Sequence, residues 1–451
     1  MAAIITNPFR LENASNFKEA VLNESVYLGI GKSDRWAATL SGAEVSAPTP
    51  VDTLVERNDF WQNSIAFKKV DSAYSTHLIP RYNWTSGTTY VAWDDAQDNI
   101  FTQQFYIITD EFKVYKLIYK TTTGASTIKP THTTGNVNPV NGGDGYFWKY
   151  MYTVTATEVT SFLTNNYMPV KTVVIPAGQT INDLSAEDQT RYTYQQSSLA
   201  NVGKIYRIVV TNGGTGYSAT PTVTITGDGS GATASATVSG GVITGITVTA
   251  NGANYNVVNV AITDSTGTLA TARAVLSPKN GHGTDPVAEL GGFYIGLRIL
   301  LSGAEGGDFI VNGGQFRQLG IVKNPYNHGT TTTSTATTLS ALKTITLGVG
   351  STGGFVVGDY ITGGTSGAKA FIDSYDQVTG VLKIHQNDKT GYVAFSSAET
   401  ITGATAGSGS VGSQGNPEIQ RFSGDVIFVE SRAAITRSAS QLEDIKVIIE
   451  F

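Results

Sequence analysis

The sequence predicts a mainly β protein: an antiparallel β-sandwich or layered β core with a few short N-terminal helices. Hydrophobic residues make up 40% of the 451 positions, charged residues make up 15%, and 50 residues are glycine. This composition favours many short strands joined by tight turns over long helices or a disordered chain. Two duplicated Gly/Thr-rich segments further predict two small β modules inserted in that core.

Helical spacing occurs near the start of the chain. One segment begins at Ser15 and places Phe17, Ala20 and Val21 on a single face. A second begins at Asp52 and keeps apolar spacings of three and four residues. The members of its predicted face are Leu54, Val55, Asn58, Trp61 and Ile65. Two short helices are therefore expected before the strands begin.

Alternating patterns follow. FYIITDEFKVYKLIYK (105–120) contains two apolar runs around Asp110 and Glu111, which predicts two strands. GDGYFWKYMYTV (143–154) predicts another strand, with Tyr146, Trp148, Tyr150, Tyr152 and Val154 on one face and Phe147, Lys149 and Met151 on the other. Apolar weight on both faces indicates a strand covered by two layers. Packing in a core is favoured for its rings, and a platform for sugar rings is the alternative.

The duplications define the predicted domains. Ile205 to Tyr217 recurs as Ile243 to Tyr255, and Phe355 to Gly367 recurs as Phe395 to Gly407. We expect modules at about 203–277 and 340–412, each burying its apolar face against its own copy. The Thr/Ser run 329–341 has the composition of a linker. The predicted domains are 1–202 (β core with short helices), 203–277 (first insert), 278–330 (return to the core), 331–415 (linker and second insert) and 416–451 (C-terminal strands).

The inserts are expected to be separable from the core. An insert whose ends lie near one point of a sheet lengthens a loop at little entropic cost. The sequence therefore predicts that deletion of 203–277 leaves a soluble, folded remainder.

Composition excludes several classes of function. The net charge is −6 and no Lys/Arg block occurs, so the attraction needed for nucleic acid or an anionic membrane is missing. The absence of cysteine excludes disulfide scaffolds, thiolate metal sites and cysteine nucleophiles, and it suits a reducing cytosol. The polar N-terminal stretch and the lack of a run of about 18 apolar residues predict neither a signal peptide nor a membrane span.

No motif predicts a catalytic residue, a metal site or a cofactor. GIGKS (29–33) imitates the end of a phosphate-binding loop, but Val26 stands where the first glycine belongs, so a turn is expected. The five histidines lack metal-site spacing, which favours surface or locally bonded imidazoles over zinc. Asp94, Asp95 and Asp98 favour a solvated turn over a calcium site. A carboxylate pair for glycoside hydrolysis stays open, because such pairs meet in space rather than in sequence.

A resemblance rests on six motifs that follow one another along the chain. They are LGIGKSDRW (28–36), PTPVDTLVERNDFWQNSI (48–65), IPRYNW (79–84), GDGYFWKYMY (143–152), GGQFRQLGIVKNP (313–325) and SGDVIFVESRAAITRSASQLEDIKVIIEF (423–451). Together they resemble the homodimeric baseplate wedge subunits of T-even-like contractile-tailed bacteriophages. The resemblance covers roughly 1–200, 290–326 and 416–451. One departure is Ala433 and Ala434 after Glu430-Ser431-Arg432, where the family usually has Glu-Asn-Arg and prolines, and the two modules are the larger departure.

The resemblance implies a virion structural protein of the tail baseplate, assembled in the host cytoplasm. It implies a homodimer that docks beside other wedge proteins and has no catalytic role. Composition and motifs, rather than the resemblance, predict no cofactor, no nucleic-acid partner and no membrane insertion. Residues inside the motifs are candidates for orienting loops or facing partners. These are Lys32, Asp34, Arg35, Trp36, Arg81, Trp84, Trp148, Arg317, Glu430 and Arg432.

Two rival functions stay open at the level of sequence. The first is a tail receptor-binding or glycan-binding protein whose modules contact a host-surface glycan. The second is an enzyme such as a polysaccharide depolymerase, which needs a carboxylate pair that the sequence does not identify.

Overall fold

The computed structural model describes residues 4–134, 137–139, 143–311 and 314–451. Gly313, the first residue of the fifth motif, lies outside them. The helices are α1 (Asn7–Asn23), α2 (Leu54–Asn63), α3 (Ala156–Phe162), α4 (Ala186–Ser198) and α5 (Pro286–Leu290). Short 3-10 turns span Ser72–Tyr74, Ile100–Thr102, Ile181–Asp183, Leu199–Asn201 and Glu305–Gly307.

Strands account for most of the regular structure, and the predicted mainly β class is confirmed. The first fourteen are β1 (Val26–Gly31), β2 (Ser64–Lys69), β3 (Ser75–Pro80), β4 (Tyr106–Ile108), β5 (Lys113–Lys120), β6 (Val137–Pro139), β7 (Tyr146–Thr153), β8 (Tyr167–Val170), β9 (Ile205–Thr215), β10 (Thr222–Gly227), β11 (Ser230–Ser239), β12 (Val242–Ala253), β13 (Val258–Thr263) and β14 (Thr268–Leu276). The others are β15 (Tyr294–Ser302), β16 (Gln315–Lys323), β17 (Thr338–Ser340), β18 (Lys343–Leu347), β19 (Tyr360–Gly363), β20 (Lys369–Asp376), β21 (Val381–His385), β22 (Thr400–Gly403), β23 (Ser408–Gly415), β24 (Asp425–Thr436) and β25 (Leu442–Glu450).

The chain divides into two compact units. Unit 1 contains Met1–Ser15, Thr76–Gly296 and Ile448–Phe451, and unit 2 contains Asn16–Ser75 and Leu297–Val447. Helix α1 and strands β15 and β25 each continue across a boundary of this division. Each unit is therefore assembled from segments that are far apart in the sequence.

The predicted helices form, but their limits and buried faces differ from expectation. Helix α1 begins at Asn7, and Ile65 belongs to β2. Leu54 and Val55 are 65% and 77% exposed, whereas Trp61 is buried. The predicted face of α2 is therefore wrong at Leu54 and Val55 and right at Trp61, because Phe60 and Trp61 set its buried side. Helices α3 to α5 lie beyond the N-terminal part of the chain, where the sequence predicted alternation.

In unit 1, strands β4, β5, β7 and β6 form one antiparallel sheet. The predicted strand pair around Asp110 and Glu111 is confirmed as the β4–β5 hairpin. Strand β7 is covered on both faces, as predicted, because its residues divide between two hydrophobic clusters. One cluster contains Tyr146, Trp148 and Tyr150, and the other contains Met151, Tyr152 and Val154.

The predicted face of β7 is wrong at Tyr152 and Val154. The register shifts where Val114 pairs with Tyr152 and Tyr115 pairs with Tyr150, which makes Met151 an extra residue. Such a bulge interrupts the alternation of side chains. Tyr152 and Val154 therefore join the cluster of Met151 rather than that of Tyr146.

The first duplicated segment forms strands β9 to β14, arranged as the sheets β11-β12-β9-β14 and β10-β13. The two copies share hydrogen bonds as well as apolar contacts. The Tyr217 hydroxyl accepts from the Ala270 amide of the second copy, and the Tyr255 hydroxyl accepts from the Ala232 amide of the first, both at 3.3 Å. This reciprocal arrangement follows the sequence duplication.

The base of this segment belongs to the core of unit 1. Val275 is part of the same hydrophobic cluster as Met151 and Tyr152. The Trp93 indole donates to the Leu276 carbonyl at 3.0 Å. The strands that carry the duplication are therefore continuous with the surrounding core.

In unit 2, strands β17, β2, β1, β16 and β24 form a five-stranded sheet. The Thr/Ser run was expected to be a linker, but Thr338–Ser340 is strand β17, which pairs with β2. Leu339 and Ala341 are buried in the hydrophobic cluster of this sheet. The linker expectation is wrong for residues 338–341. The edge of β2 offers backbone hydrogen-bond partners to this segment, and the hydrophobic cluster of the sheet buries its apolar side chains.

The second duplicated segment closes into a barrel with the strand order β18-β21-β20-β19-β22-β23. Phe355, Phe395, Ile361 and Ile401 occupy equivalent positions in the two copies and are buried together in one core. Each copy contributes residues to this hydrophobic cluster, so the cluster forms only when both copies are present.

Candidate functional site

Seven of the ten candidate residues lie in unit 2 and share one polar neighbourhood. These are Lys32, Asp34, Arg35, Trp36, Arg317, Glu430 and Arg432. The segment that follows β1 begins with Lys32, whose backbone has the unusual φ of 61° and whose amide donates to the Asn63 carbonyl at 2.9 Å. This turn directs the following residues towards the barrel.

A buried ionic cluster, which we call the loop–barrel network, joins that segment to the barrel. Asp34 lies at its centre, with the Lys32 ammonium 3.1 Å from Oδ2 and the Lys389 ammonium 2.6 Å from Oδ2. His385 Nε2 lies 3.7 Å from Asp34 Oδ1, and His385 Nδ1 lies 2.7 Å from Asp373 Oδ2. The network thus consists of Lys32, Asp34, Asp373, His385 and Lys389.

Electrostatics favours the charged forms of Asp34 and His385 in this network. Burial acts against the protonated form of His385, but the charges of Asp373 and Asp34 raise the pKa of His385 to about 9. Burial alone would raise the pKa of Asp34, yet the electrostatic interaction with His385 and the charge of Lys32 hold that pKa well below its usual range. Burial lowers the pKa of Lys32 against the attraction of Asp34. Paired charges of this kind fix geometry, because an unpaired partner would be costly to bury.

The other candidate residues of unit 2 extend this neighbourhood. Arg317 is buried, and its guanidinium donates to both carboxylate oxygens of Glu44 and, at 2.6 Å, to the Ser33 carbonyl. The Trp36 indole donates to the Arg432 carbonyl at 2.9 Å. Glu430 and Arg432 form a half-exposed ion pair of 3.5 Å on β24. These contacts hold the segment that follows β1 against β16 and β24.

The remaining candidates lie in unit 1 and do not form a common site. Arg81 donates to the Thr164 carbonyl and to Asn83, both at 2.8 Å. Trp84 donates to the Ser126 hydroxyl at 3.2 Å. Trp148 is completely buried and stacks on Tyr146 with ring centroids 5.9 Å apart. Trp148 thus contributes to the core, and its ring is not available to a partner.

Sequence reasoning missed a second ionic cluster, in unit 1. Lys116 and Lys149 are cross-strand partners on β5 and β7, and both are fully buried. The Lys116 ammonium lies 2.9 Å from a Glu289 carboxylate oxygen and 3.9 Å from the centre of the Trp93 ring. His282 Nδ1 lies 3.8 Å from the same carboxylate oxygen. We call Lys116, Lys149, His282 and Glu289 the lysine cluster.

Burial controls protonation in the lysine cluster. It lowers the pKa of Lys149 to about 8, against the attraction of Glu289. Burial and the nearby Lys116 lower the pKa of His282 to about 4. Burial alone would raise the pKa of Glu289, but the charge of Lys116 lowers it to about 2. Lysines between the apolar residues of β5 and β7 were the sequence signals of this cluster.

The structure also locates other residues singled out in the sequence. His282 and His385 were expected at the surface or locally bonded, but both are buried in ionic clusters. Asp94 and Asp95 form ion pairs with Arg273 at 2.6 and 3.3 Å. In the described part of the chain, no cluster of three or more His, Asp or Glu side chains is placed to hold a metal ion. None of the helices within the described ranges has the length and apolarity needed to cross a membrane.

Comparison with known proteins agrees with the sequence motifs. Residues 3–104 match the family described as Bacteriophage T4, Gp8. The chain is also 23% identical to baseplate wedge protein gp8 of Enterobacteria phage T4 over 243 residues, which cover 46% of this chain and 70% of that protein. Both matches support a structural role in a phage baseplate wedge. The resemblance found in the sequence is therefore confirmed, and the chain is similar to a baseplate wedge protein of phage T4.

Proposed function

We propose that the chain is a structural subunit of a phage tail baseplate wedge that forms a homodimer and docks to other wedge proteins during tail assembly. The kinship with a wedge protein supports the location in the virion. An exposed apolar surface on α2 is the structural observation that supports the dimer. The proposed role is assembly rather than catalysis, and the candidate residues of unit 2 serve to hold its loops.

The surface, which we call the α2 patch, consists of Val51, Leu54 and Val55. All three are exposed around the first turn of α2. The turn itself is well formed, because the Thr53 hydroxyl accepts from the Glu56 amide at 3.2 Å. Isolated exposed apolar residues are common. Several such residues close together form a surface whose burial against a partner is favourable.

Aromatic residues adjoin the other end of the same helix. The Tyr392 hydroxyl is hydrogen-bonded to Gln62 of α2, and Tyr392, Gln62 and Phe422 line one cavity. Tyr392 and Phe422 are both more than half exposed, and Phe422 has the strained φ of 62°. Exposed aromatic rings are enriched at protein interfaces, and strained backbone often marks a functional position.

A second copy of the chain is the partner that we assign to the α2 patch. A twofold dimer needs one self-complementary surface, and an apolar helix face that packs against its own copy satisfies this requirement. Other wedge proteins would then dock elsewhere on the subunit. This arrangement agrees with the homodimer that the family resemblance implies.

The dimer can be tested with the double variant L54E/V55E. Acidic residues suit the first turn of a helix, so α2 should still form. We expect the wild-type chain to sediment as a concentration-independent dimer and the double variant to sediment as a monomer, because two buried charges would oppose the interface. Sedimentation velocity at several protein concentrations measures both masses.

The control is Val378→Glu, which places one acidic side chain at a position 95% exposed between β20 and β21. It should leave the dimer intact. A wild-type monomer at every concentration would contradict the dimer, and a stable trimer would favour a fibre or receptor-binding protein. A dimer that persists in L54E/V55E would show that its interface lies away from the α2 patch.

A further inference from the structure

A groove of about 730 Å³ lies in unit 1 between the sheet that carries β5 and β7 and the first duplicated segment. Residues from β5, from β7, from the turn after β5, and from β9 and β12 line it. A groove of this size suits a small molecule or a short stretch of a polymer. We call it the ring groove.

Two aromatic rings form one wall of the ring groove. Tyr119 and Phe147 are cross-strand partners, and their rings stack with centroids 4.1 Å apart and planes inclined by 16°. Both side chains are only half-buried, unlike Tyr146 and Trp148 of the same sheet. Tyr206 adds a third half-buried ring to the lining. These rings offer apolar faces to a ligand that enters the groove.

Two cations, Lys120 and Arg207, also line the groove, and none of the residues described along its walls is Asp or Glu. The Lys120 ammonium donates to the Tyr90 carbonyl at 3.0 Å. Within the described ranges, no hydrogen bond or ion pair reaches the Arg207 guanidinium. The groove therefore has an excess of positive charge in a protein whose net charge is −6.

Asp94, the acidic residue near Arg207, does not neutralise the excess positive charge of the ring groove. Asp94 acts on Arg207 electrostatically, but both of its carboxylate oxygens accept hydrogen bonds of 2.6 Å from Arg273. Burial lowers the pKa of Arg207, and the charge of Arg273 lowers it further. A half-buried guanidinium without a hydrogen-bonded partner is unfavourable, and an anion placed against it supplies the missing hydrogen bonds.

Hydroxyl groups complete the lining. Thr244 and Thr247 lie on β12, and Thr121, Thr122 and Thr123 lie in the turn after β5. Hydroxyl side chains both donate and accept hydrogen bonds, which matches the hydroxyl groups of a sugar. The groove thus combines rings, hydroxyls and cations along one surface.

We propose that the ring groove binds an acidic saccharide, with a sugar ring against Tyr119 and Phe147 and a carboxylate at Arg207. A planar guanidinium binds a carboxylate through two parallel hydrogen bonds, which fixes the orientation of the sugar. The proposal goes beyond a structural role in the wedge and is independent of the dimer.

Single-stranded nucleic acid also combines rings with negative charge, but the groove fits it less well. Proteins of that class provide a positively charged track with successive stacking platforms. Here Tyr119 and Phe147 stack on each other and form one platform, and the chain as a whole is acidic. A short sugar acid therefore matches the charge and the extent of the site better.

The test is isothermal titration of the full chain with trisaccharides that contain galacturonic acid, glucuronic acid or N-acetylneuraminic acid. Neutral galactose trisaccharide and a ten-nucleotide deoxythymidine strand are titrated in parallel. We expect at least one acidic trisaccharide to bind at least about tenfold more tightly than the neutral one, the effect of one charge-assisted contact. Arg207→Gln should remove this preference.

The matched control is Lys279→Gln, which removes one positive charge at an exposed position outside the groove. It should bind like the wild type. Phe147→Leu keeps apolar volume but lacks the ring, so it tests the platform if Arg207→Gln fails to fold. Absence of binding by all three acids, or unchanged affinity in both groove variants, would overturn the proposal. Tighter binding of the deoxythymidine strand would assign the groove to nucleic acid instead.

Discussion

At the scale of single residues, two buried histidines give the two units opposite responses to pH. In unit 2, the pKa of His385 is raised from 6.5 to about 9 by Asp373 and Asp34 against burial. In unit 1, the pKa of His282 is lowered to about 4 by burial and Lys116. A group that binds its proton more tightly in the folded state makes the protein less stable as pH rises. A group that binds its proton less tightly in the folded state makes the protein less stable as pH falls.

We expect the barrel of unit 2 to lose stability as pH rises from about 6.5 through 9. The folded state holds the His385 proton in this range and the unfolded state does not, so the loss is on the order of 3 kcal/mol. Amide hydrogen exchange of peptides from β20 and β21, corrected for intrinsic rates, measures the change. His385→Gln should remove the slope, and an equal slope in that variant would contradict the assignment.

The same experiment should show the reverse in unit 1. Stability contributed by neutral His282 is present above pH 6.5 and is lost as pH falls towards 4, because the unfolded state then binds the proton first. The low pKa of Glu289 adds a further loss below about 4.5. Peptides from β5 and β7 should therefore open in mild acid while the barrel stays protected.

At the scale of elements, a pair of glycines explains how α2 packs on the sheet of unit 2. Gly29 of β1 and Gly320 of β16 are direct cross-strand partners. A Cβ atom on Gly320 would lie 2.4 Å from the Phe60 ring, and one on Gly29 would lie 2.8 Å from it. The two missing side chains thus leave a slot for Phe60 of α2. Packing in this slot decides which side of α2 is buried and leaves the α2 patch outside.

Gly320→Ala should therefore destabilise unit 2 by about 1 to 3 kcal/mol, the usual cost of overpacking a core. Urea unfolding followed by tryptophan fluorescence measures the loss. Adding Phe60→Leu should give a double variant that loses less than the sum of the two single changes, because the smaller side chain relieves the clash. Gly245→Ala is the control, since a Cβ there has no atom within 4 Å. Equal effects of the two alanines would contradict the slot.

At the scale of the whole molecule, the first duplicated segment is integrated at its base and self-contained at its far end. Val275 is buried with the core of unit 1, and the Leu276 carbonyl accepts from Trp93. Further out, the segment is held mainly by contacts between its own two copies. The structure therefore argues for deletion limits inside the segment rather than at 203 and 277.

Deletion of 213–270, with an Asn-Gly turn joining Asn212 to Thr271, should leave a soluble and cooperatively folding chain. These two residues face each other across the β9–β14 ladder, so a tight turn can connect them. Deletion of 203–277 should give much less soluble protein, because it removes Val275 and the partner of Trp93. Soluble yield and thermal unfolding of both variants measure the difference, and equal solubility would contradict an integrated base.

Much of the fold was determined by local sequence. The β4–β5 hairpin follows from two apolar runs around Asp110 and Glu111, and the doubly covered strand β7 follows from apolar residues on both faces. Motif order predicted the kinship with wedge subunits. Each of these features depends on residues that are close in sequence or on repeated patterns. One amino-acid sequence is therefore sufficient to predict them.

The ionic clusters were decided only by the tertiary structure. Lys389 and Asp34 are paired although 355 positions separate them, and Lys116 and Glu289 are paired across 173 positions. No spacing rule connects residues so far apart, and their pKa values depend on burial that the sequence does not reveal. The exposed side of α2 has the same origin, because the fit of Phe60 between Gly29 and Gly320, rather than helical spacing, selects the face that is buried.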